Sequence, residues 1–158
     1  MNNFLLPNTT PVPNEIINGW AAKLKGSELK VLLIVVRSTL GWILDPETGM
    51  RKEEDWISWR QLGERTGLGS NVLSQAIDAL CGKYHLIQIR DSGGKVVDTK
   101  EKRLIAGRRR LRLYYRLNLQ TLRETSHYFP TATKTVAVTA TERENATATE
   151  TVDYKSKD

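Results

Sequence analysis

The sequence predicts a mainly α-helical domain that ends in a small β-hairpin. Over residues 57–83, apolar positions spaced three and four apart stop at a glycine-containing turn and then resume, which indicates two helices joined at 66–69. Residues 85–90 and 111–119 then alternate between apolar and polar side chains, as the two strands of a hairpin do. This order of elements is typical of a winged helix-turn-helix domain: helices come first, then an amphipathic helix with a polar outer face, and then a hairpin with a long tip.

The N-terminal part of the chain predicts an arm and two helices. Residues 1–12 contain prolines among polar neighbours and are expected to be extended. One helix is expected from Asn14 and a second from Ser27 to Trp42. The buried stripe of this second helix is expected to consist of Leu29, Leu32, Leu33, Val36 and Leu40.

A polar insertion separates these helices from the predicted helix pair. Residues 44–55 carry charges of both signs and a turn at Asp45–Gly49, after which Ile57 is expected in a short strand. Within the pair, Gly67 suits the left-handed residue that ends the first helix, and Ser70 is a suitable N-cap for the second. We assign residues 13–120 to one domain.

The second helix of the pair presents short polar side chains on its outer face. A helix that reads base edges in a DNA groove needs such a face, and Asn and Gln suit bidentate contacts with adenine. An ordinary helical hairpin has the same apolar spacing, so the spacing alone leaves both interpretations open. The candidate base-reading residues are Ser70, Asn71, Ser74 and Gln75.

Positive charge is concentrated in the predicted hairpin. The chain has 24 Lys and Arg against 18 Asp and Glu, a net charge of +6. Residues 90–116 hold ten basic and three acidic residues, more net charge than the whole chain. A solvated basic loop is the usual explanation of such a run, but its place beside a recognition-type helix favours contact with DNA phosphates. The candidate phosphate-binding residues are Arg60 in the helix pair and Lys95, Lys100, Lys102, Arg103, Arg108, Arg109 and Arg110 in the hairpin.

The residue types that support catalysis or metal binding are sparse. Cys81 is the single cysteine, expected to be half-buried, and a chain that cannot form an internal disulfide suits a reducing cytoplasm. His85 and His127 are isolated, and there is no glycine-rich phosphate loop. We therefore expect no enzyme, no cofactor and no metal site. Neither a membrane-spanning apolar run nor a signal peptide is indicated.

Three segments carry a resemblance to a known family. They read TPVPNEII at 10–17, KGSELKVLLIVVRSTLGW at 25–42 and LGERTGLGSNVLSQAIDAL at 62–80. Together they resemble the N-terminal domain of phage replication protein O, the lambda-type origin-binding initiators, over about residues 4–120. The resemblance implies a winged-helix domain that binds repeated origin sequences in duplex DNA inside a bacterial host cell. It also implies that a separate C-terminal region recruits the replicative helicase, and the sequence after Pro130 shows no counterpart of that region.

The sequence favours a non-catalytic, sequence-specific DNA-binding protein that initiates phage-type replication. The alternative is a winged-helix transcriptional regulator, because the fold does not separate the two roles. A helicase-loading adaptor is a third interpretation, since the recognition-type helix has no basic residue before Lys83. Besides duplex DNA, the candidate partners are the host helicase, its loader and a second copy of the chain.

The C-terminal segment contains a repeat. Residues 121–158 predict a short helix or linker and then a disordered tail rich in Thr and Ala. The tripeptide ThrAlaThr begins at residues 131, 139 and 147. Eight codons span about 24 base pairs, or roughly 2.3 turns of duplex. The repeat has two explanations: low-complexity drift in a disordered tail, or tandem binding sites in the encoding DNA, since the resembled family carries its origin within its own coding sequence.

Overall fold

The structure, a computed structural model, describes residues 9–125 of the chain. Within this range, helices are combined with two small antiparallel sheets in a mixed α/β arrangement. Most of the predicted arm, and the predicted tail with its repeat, lie outside the described residues. No helix within 9–125 is long and apolar enough to cross a membrane.

Two helices open the described chain. Helix α1 combines a π-helical turn, Ile16–Trp20, with Ala21–Lys23, and helix α2 is Gly26–Ser38. The expectation that α2 reaches Trp42 is wrong. The Thr39 hydroxyl bonds back to the Val35 carbonyl at 2.8 Å, and the backbone of Thr39 leaves the helical region.

The buried face of α2 also differs from the expected stripe. Leu33 is exposed, and the fully buried residues are Val31, Leu32, Val35 and Val36. Leu32 and Val36 are thus common to both sets. The run of six apolar residues from Val31 to Val36 offers more than one helical face, and packing against the rest of the domain selects this one.

The polar insertion forms a β-hairpin, β1 (Ile43–Asp45) and β2 (Met50–Arg51). The predicted turn at 45–49 is confirmed. The Asp45 carboxylate accepts bonds from the Thr48 hydroxyl at 2.6 Å and the Glu47 N–H at 2.9 Å. These bonds lower the pKa of Asp45, with the Thr48 hydroxyl contributing most. Gly49 has a φ of 70°, which glycine adopts without steric cost.

The second sheet has three strands. Strand β3 is Glu54–Trp56, β4 is Ile87–Asp91 and β5 is Leu113–Leu117, in the spatial order β3-β5-β4. Ile57 lies just beyond β3 rather than within it, and its N–H bonds to the Leu113 carbonyl at 3.3 Å. The predicted strands at 85–90 and 111–119 are confirmed, the first shifted to 87–91 and the second shortened to 113–117.

The predicted helix pair is confirmed. Helix α3 is Trp59–Thr66, and α4 is Ser70–Asp78, which continues as a π-helical segment, Ala79–Lys83. Apolar side chains of α2, α3, α4 and the inner face of the three-stranded sheet form one core. Leu122 of α6 (Leu119–Thr125) belongs to that core, beyond the predicted domain limit of 120.

The long hairpin between β4 and β5 is not an open loop. After the turn at 91–94, residues 95–97 pair back on β4, and then helix α5 (Lys100–Arg108) forms. Thr99 caps this helix by accepting a bond from the Lys102 N–H at 3.3 Å. The predicted hairpin therefore has a helix inserted at its tip.

Candidate nucleic-acid interface

The turn between α3 and α4 is fixed by local hydrogen bonds. At the start of α3, Ser58 and Gln61 form a capping box in which each side chain accepts the backbone N–H of the other. At its end, Gly67 has a φ of 68°, as predicted for a left-handed terminal residue. These termini set the direction in which α4 leaves α3.

Helix α4 buries one side and exposes the other. Leu73, Ala76 and Ile77 are buried, whereas Asn71 and Gln75 are exposed. These two amides are one helical turn apart, so both can face one ligand. Within residues 9–125 neither amide side chain has a hydrogen-bond partner. Ser74, the third candidate on this helix, is half-buried.

Ser70 differs from its expected role. Gly69 is the N-cap of α4, and Ser70 is its first helical residue. Its hydroxyl accepts a hydrogen bond from the indole Nε1 of Trp59 at 3.2 Å instead of capping the helix. Ser70 therefore connects the starts of α3 and α4, and its hydroxyl is already engaged.

The predicted phosphate-binding residues fall into two groups. Lys95, Lys100 and residues 108–110 are exposed and have no ion-pair partner in the described part of the chain. Arg60 pairs with Glu64 at 2.7 Å, and Lys102 pairs with Asp98 at 2.6 Å. The Lys102 ammonium lowers the pKa of Asp98. Such exposed pairs are weak and can be exchanged for a phosphate, so these two residues remain candidates.

Arg103 is placed differently from all the other candidates. Its side chain is only 6% exposed, and its guanidinium forms an ion pair with Asp78 of α4. A second bond reaches the Asp98 carbonyl at 3.3 Å. This placement corrects the prediction: Arg103 anchors α5 to α4 and presents no free donor face to a phosphate.

The end of α5 contains an unusual backbone conformation. Arg110 has a φ of 54°, in the left-handed region that favours glycine. Its N–H bonds to the Gly107 carbonyl at 3.0 Å, and the Leu111 N–H bonds to the Ala106 carbonyl at 2.9 Å. This pair of bonds is a Schellman motif, in which an arginine occupies the position usually held by glycine.

Two tryptophans beside α4 were missed by sequence reasoning. Trp59 is 40% exposed and bonds Ser70, and Trp56 is 41% exposed at the end of β3. The Arg112 guanidinium lies 5.0 Å from the centre of the Trp56 ring. Trp56 therefore contacts the basic hairpin, and Trp59 contacts the start of α4. Exposed aromatic residues next to a predicted helix-turn-helix were the signal for them.

The described residues contain no cluster of His, Cys, Asp and Glu that could hold a metal ion. Cys81 is buried rather than half-buried, and burial raises the pKa of its thiol to about 12. A thiol in this state is protonated near neutral pH and is a poor nucleophile. Comparisons with protein-family models, curated proteins and solved structures found no match to this chain.

Proposed function

We propose that this protein binds duplex DNA with sequence preference through a winged helix-turn-helix, and that it acts without catalysis in initiating phage-type DNA replication. The observation that carries the proposal is the strand order. The helix pair α3–α4 lies between β3 and β4 in the chain, and β5 pairs with both strands. Winged-helix domains have this connection, with the second helix of the pair as the DNA-reading element.

The proposed contact places α4 in the major groove. Asn71 and Gln75 are exposed one turn apart, and each amide can form a bidentate contact with adenine. The half-buried Ser74 and the engaged Ser70 line the same helix but offer less to a base edge. Sequence preference therefore rests mainly on the two amides.

The basic hairpin supplies the phosphate contacts in this proposal. Residues 108–110 lie at the C-terminal end of α5. This helix is anchored to α4 through the ion pair of Arg103 with Asp78. The left-handed Arg110 supports the same view, because strained positions persist where the side chain has a function that glycine cannot supply. The salt dependence of binding should originate here.

A role in initiation rather than transcriptional regulation rests on the resemblance to replication protein O and on the repeat at 131–154. In this role the protein acts in the bacterial host cytoplasm on origin repeats. The host helicase or its loader is then a second partner, and a second copy of the chain can occupy the neighbouring repeat. The fold is equally suited to a transcriptional regulator.

Selection from random duplexes tests the binding step. The full chain is incubated with a randomised duplex library, and bound DNA is sequenced over several rounds. We expect a consensus that contains adenine and that loses its enrichment with the Asn71→Ala, Gln75→Ala double variant. If no sequence is enriched above its frequency in the starting library, sequence-specific recognition is rejected.

Footprinting tests the initiation role. The probes are the DNA that encodes residues 131–154 and the DNA upstream of the gene, and the control is the coding DNA with shuffled codons. Protection that recurs about every 24 base pairs, roughly 2.3 duplex turns, supports a self-encoded origin. Protection confined to DNA upstream of the gene favours the regulator instead.

A further inference from the structure

The outer face of the three-stranded sheet is a second surface with a distinctive composition. Ile87, Ile89, Tyr115 and Leu117 point into the core. Side chains alternate along a strand, so their neighbours in β4 and β5 point away from the core. Those neighbours are Gln88, Arg90, Tyr114 and Arg116.

The strand register places these outward residues in rows. Trp56 pairs with Tyr114, and Tyr114 pairs with Arg90. Arg90 also forms a bridge with Val96, so one row crosses every strand of the sheet. Paired residues on adjacent strands are about 5 Å apart. The row therefore offers two aromatic rings and a guanidinium plane side by side.

Positive charge surrounds this row. The adjacent row consists of Glu54, Arg116 and Gln88, and Arg112 stacks on Trp56 from beyond the end of the ladder. Three arginines thus face one carboxylate across this surface. Within residues 9–125, neither Arg90 nor Arg116 has an ion-pair or hydrogen-bond partner.

Arg90 is also incompletely satisfied. Its Nε atom is buried and has no hydrogen-bond partner in the described chain. A buried donor without a partner is costly, so an acceptor oxygen that reaches this atom would be bound favourably. Arg90 and Arg116 also line a groove along the sheet, together with Arg51 of the β1–β2 hairpin. The groove extends this surface from Arg90 and Arg116 towards the β1–β2 hairpin, and Trp56 and Tyr114 do not line it.

We propose that this outer sheet face binds single-stranded DNA. Unpaired bases can stack on Trp56 and Tyr114, and Arg90, Arg112 and Arg116 can contact the phosphates or stack on bases. Aromatic platforms lined with cations are the general means by which proteins hold single strands. A duplex does not fit the row as well, because its base faces are already stacked and unavailable.

The existence of this surface follows from the geometry of the sheet. The source of the single-stranded DNA that it would bind rests on the proposed function. DNA opened beside the duplex site would supply the single strand, and Trp56 lies at the border between the two surfaces. The test therefore uses Tyr114, Arg90 and Arg116, which belong to the sheet face and not to the proposed duplex contact.

Fluorescence anisotropy with the full chain measures the affinity. The probes are a labelled oligothymidine of about twenty nucleotides, enough to exceed a typical single-strand site, and a labelled random duplex. Tyr114→Ala should weaken oligothymidine binding about tenfold, the effect of losing one stacked base. Tyr114→Phe should retain the affinity because the ring remains. Duplex affinity should be unchanged in both variants.

Substitution of the arginines provides an independent measurement if Tyr114→Ala fails to fold. Arg90→Gln and Arg116→Gln should each flatten the slope of log K against log salt by about 0.7 for the single strand. Trp42 and Arg37 form a matched control, because they are another exposed tryptophan–arginine stack, at 5.4 Å, outside this face. Trp42→Ala and Arg37→Gln should leave oligothymidine binding unchanged.

The outcomes separate the two proposals. Oligothymidine binding that is insensitive to the sheet variants, or lost equally in the Trp42 and Arg37 controls, overturns the sheet-face proposal while the duplex function stands. Parallel loss of single-strand and duplex binding also overturns it, since one shared surface would then bind both. Preference for oligouridine over oligothymidine assigns the face to RNA instead. Tyr114-dependent single-strand binding without duplex binding refutes the proposed function alone.

Discussion

Replacing Arg110 with glycine should stabilise the protein and weaken its binding to DNA. Arg110 has a φ of 54° at the position after the end of α5 where Schellman motifs usually have glycine. A residue with a Cβ atom is strained there, and glycine is not. The arginine would be retained for its charge, since residues 108–110 are the proposed phosphate contacts.

The magnitude follows from two opposing terms. The left-handed conformation costs a non-glycine residue roughly 1–2 kcal/mol, while glycine loses about 0.5–1 kcal/mol more backbone entropy on folding. Arg110→Gly should therefore raise the free energy of unfolding by about 0.5–1 kcal/mol. Loss of one phosphate contact should reduce the slope of log K against log salt by about 0.9.

Arg109→Gly is the matched control. Arg109 has a φ of −82° in the same turn, so its replacement removes the same charge without relieving strain. It should lower the unfolding free energy, whereas Arg110→Gly raises it. Urea unfolding followed by circular dichroism gives the stability, and anisotropy with duplex DNA across a salt series gives the slope. Stability changes of the same sign in both variants would refute the strain argument.

Three further predictions concern other contacts. Asn71→Ala or Gln75→Ala should cost about 1–3 kcal/mol at one base position and leave binding to random duplexes intact, as competition with single-base variants of the selected site will measure. Asp78→Ala leaves the buried Arg103 guanidinium without its ion-pair partner and should lower the free energy of unfolding by about 2–4 kcal/mol. Arg103→Met should lower it less, because water hydrates the half-exposed Asp78, and urea unfolding measures both variants. Burial raises the pKa of Cys81 to about 12, so stability should fall from about pH 9 towards pH 12 as the unfolded chain releases this proton, and Cys81→Ala should flatten that fall in unfolding series across pH.

The helix pair could be predicted because its signals are local. Gly67 has the backbone conformation that its position implied, and Leu73 and Ile77 are buried as their spacing indicated. The turn at 45–49 was equally local, since it depends on an Asp carboxylate and a glycine. Elements that depend on a side chain distant in the sequence, or that have a short polar sequence, could not be predicted this way.

Helix α5 was not predicted because its pattern is inverted. The buried residues are Arg103 and Ala106, whereas Leu104 and Ile105 are exposed. Apolar periodicity therefore gives no helical signal for this stretch, and its charges resemble those of a solvated loop. What holds the helix is a cap at Thr99 and an ion pair with Asp78, a residue 25 positions away. Such a distant partner is not visible in local sequence.

A short strand was expected at Ile57, and strand β3 ends one residue before it, for a related reason. Its sequence, GluAspTrp at 54–56, has low strand propensity, and the strand forms because β5 supplies the hydrogen bonds. That pairing sets the order β3-β5-β4, on which the proposed function rests. It also creates the row of Trp56, Tyr114 and Arg90, so the sheet-face proposal could not have been made from the sequence.

The structure changes how the basic charge should be counted. Seven cations of the hairpin were predicted to bind phosphate. Of these, Arg103 forms a buried ion pair with Asp78, and Lys102 forms an exposed ion pair with Asp98. Lys95, Lys100 and residues 108–110 are left as five unpaired candidates among the described residues. At about 0.9 per neutralised phosphate, these cations limit the salt slope to roughly −4.5, or somewhat more if Arg60 and Lys102 exchange their carboxylates for phosphates. A slope near −9 would mean that cations outside the hairpin, such as those of the sheet face, also contact duplex DNA, and the separation of the two surfaces would then fail.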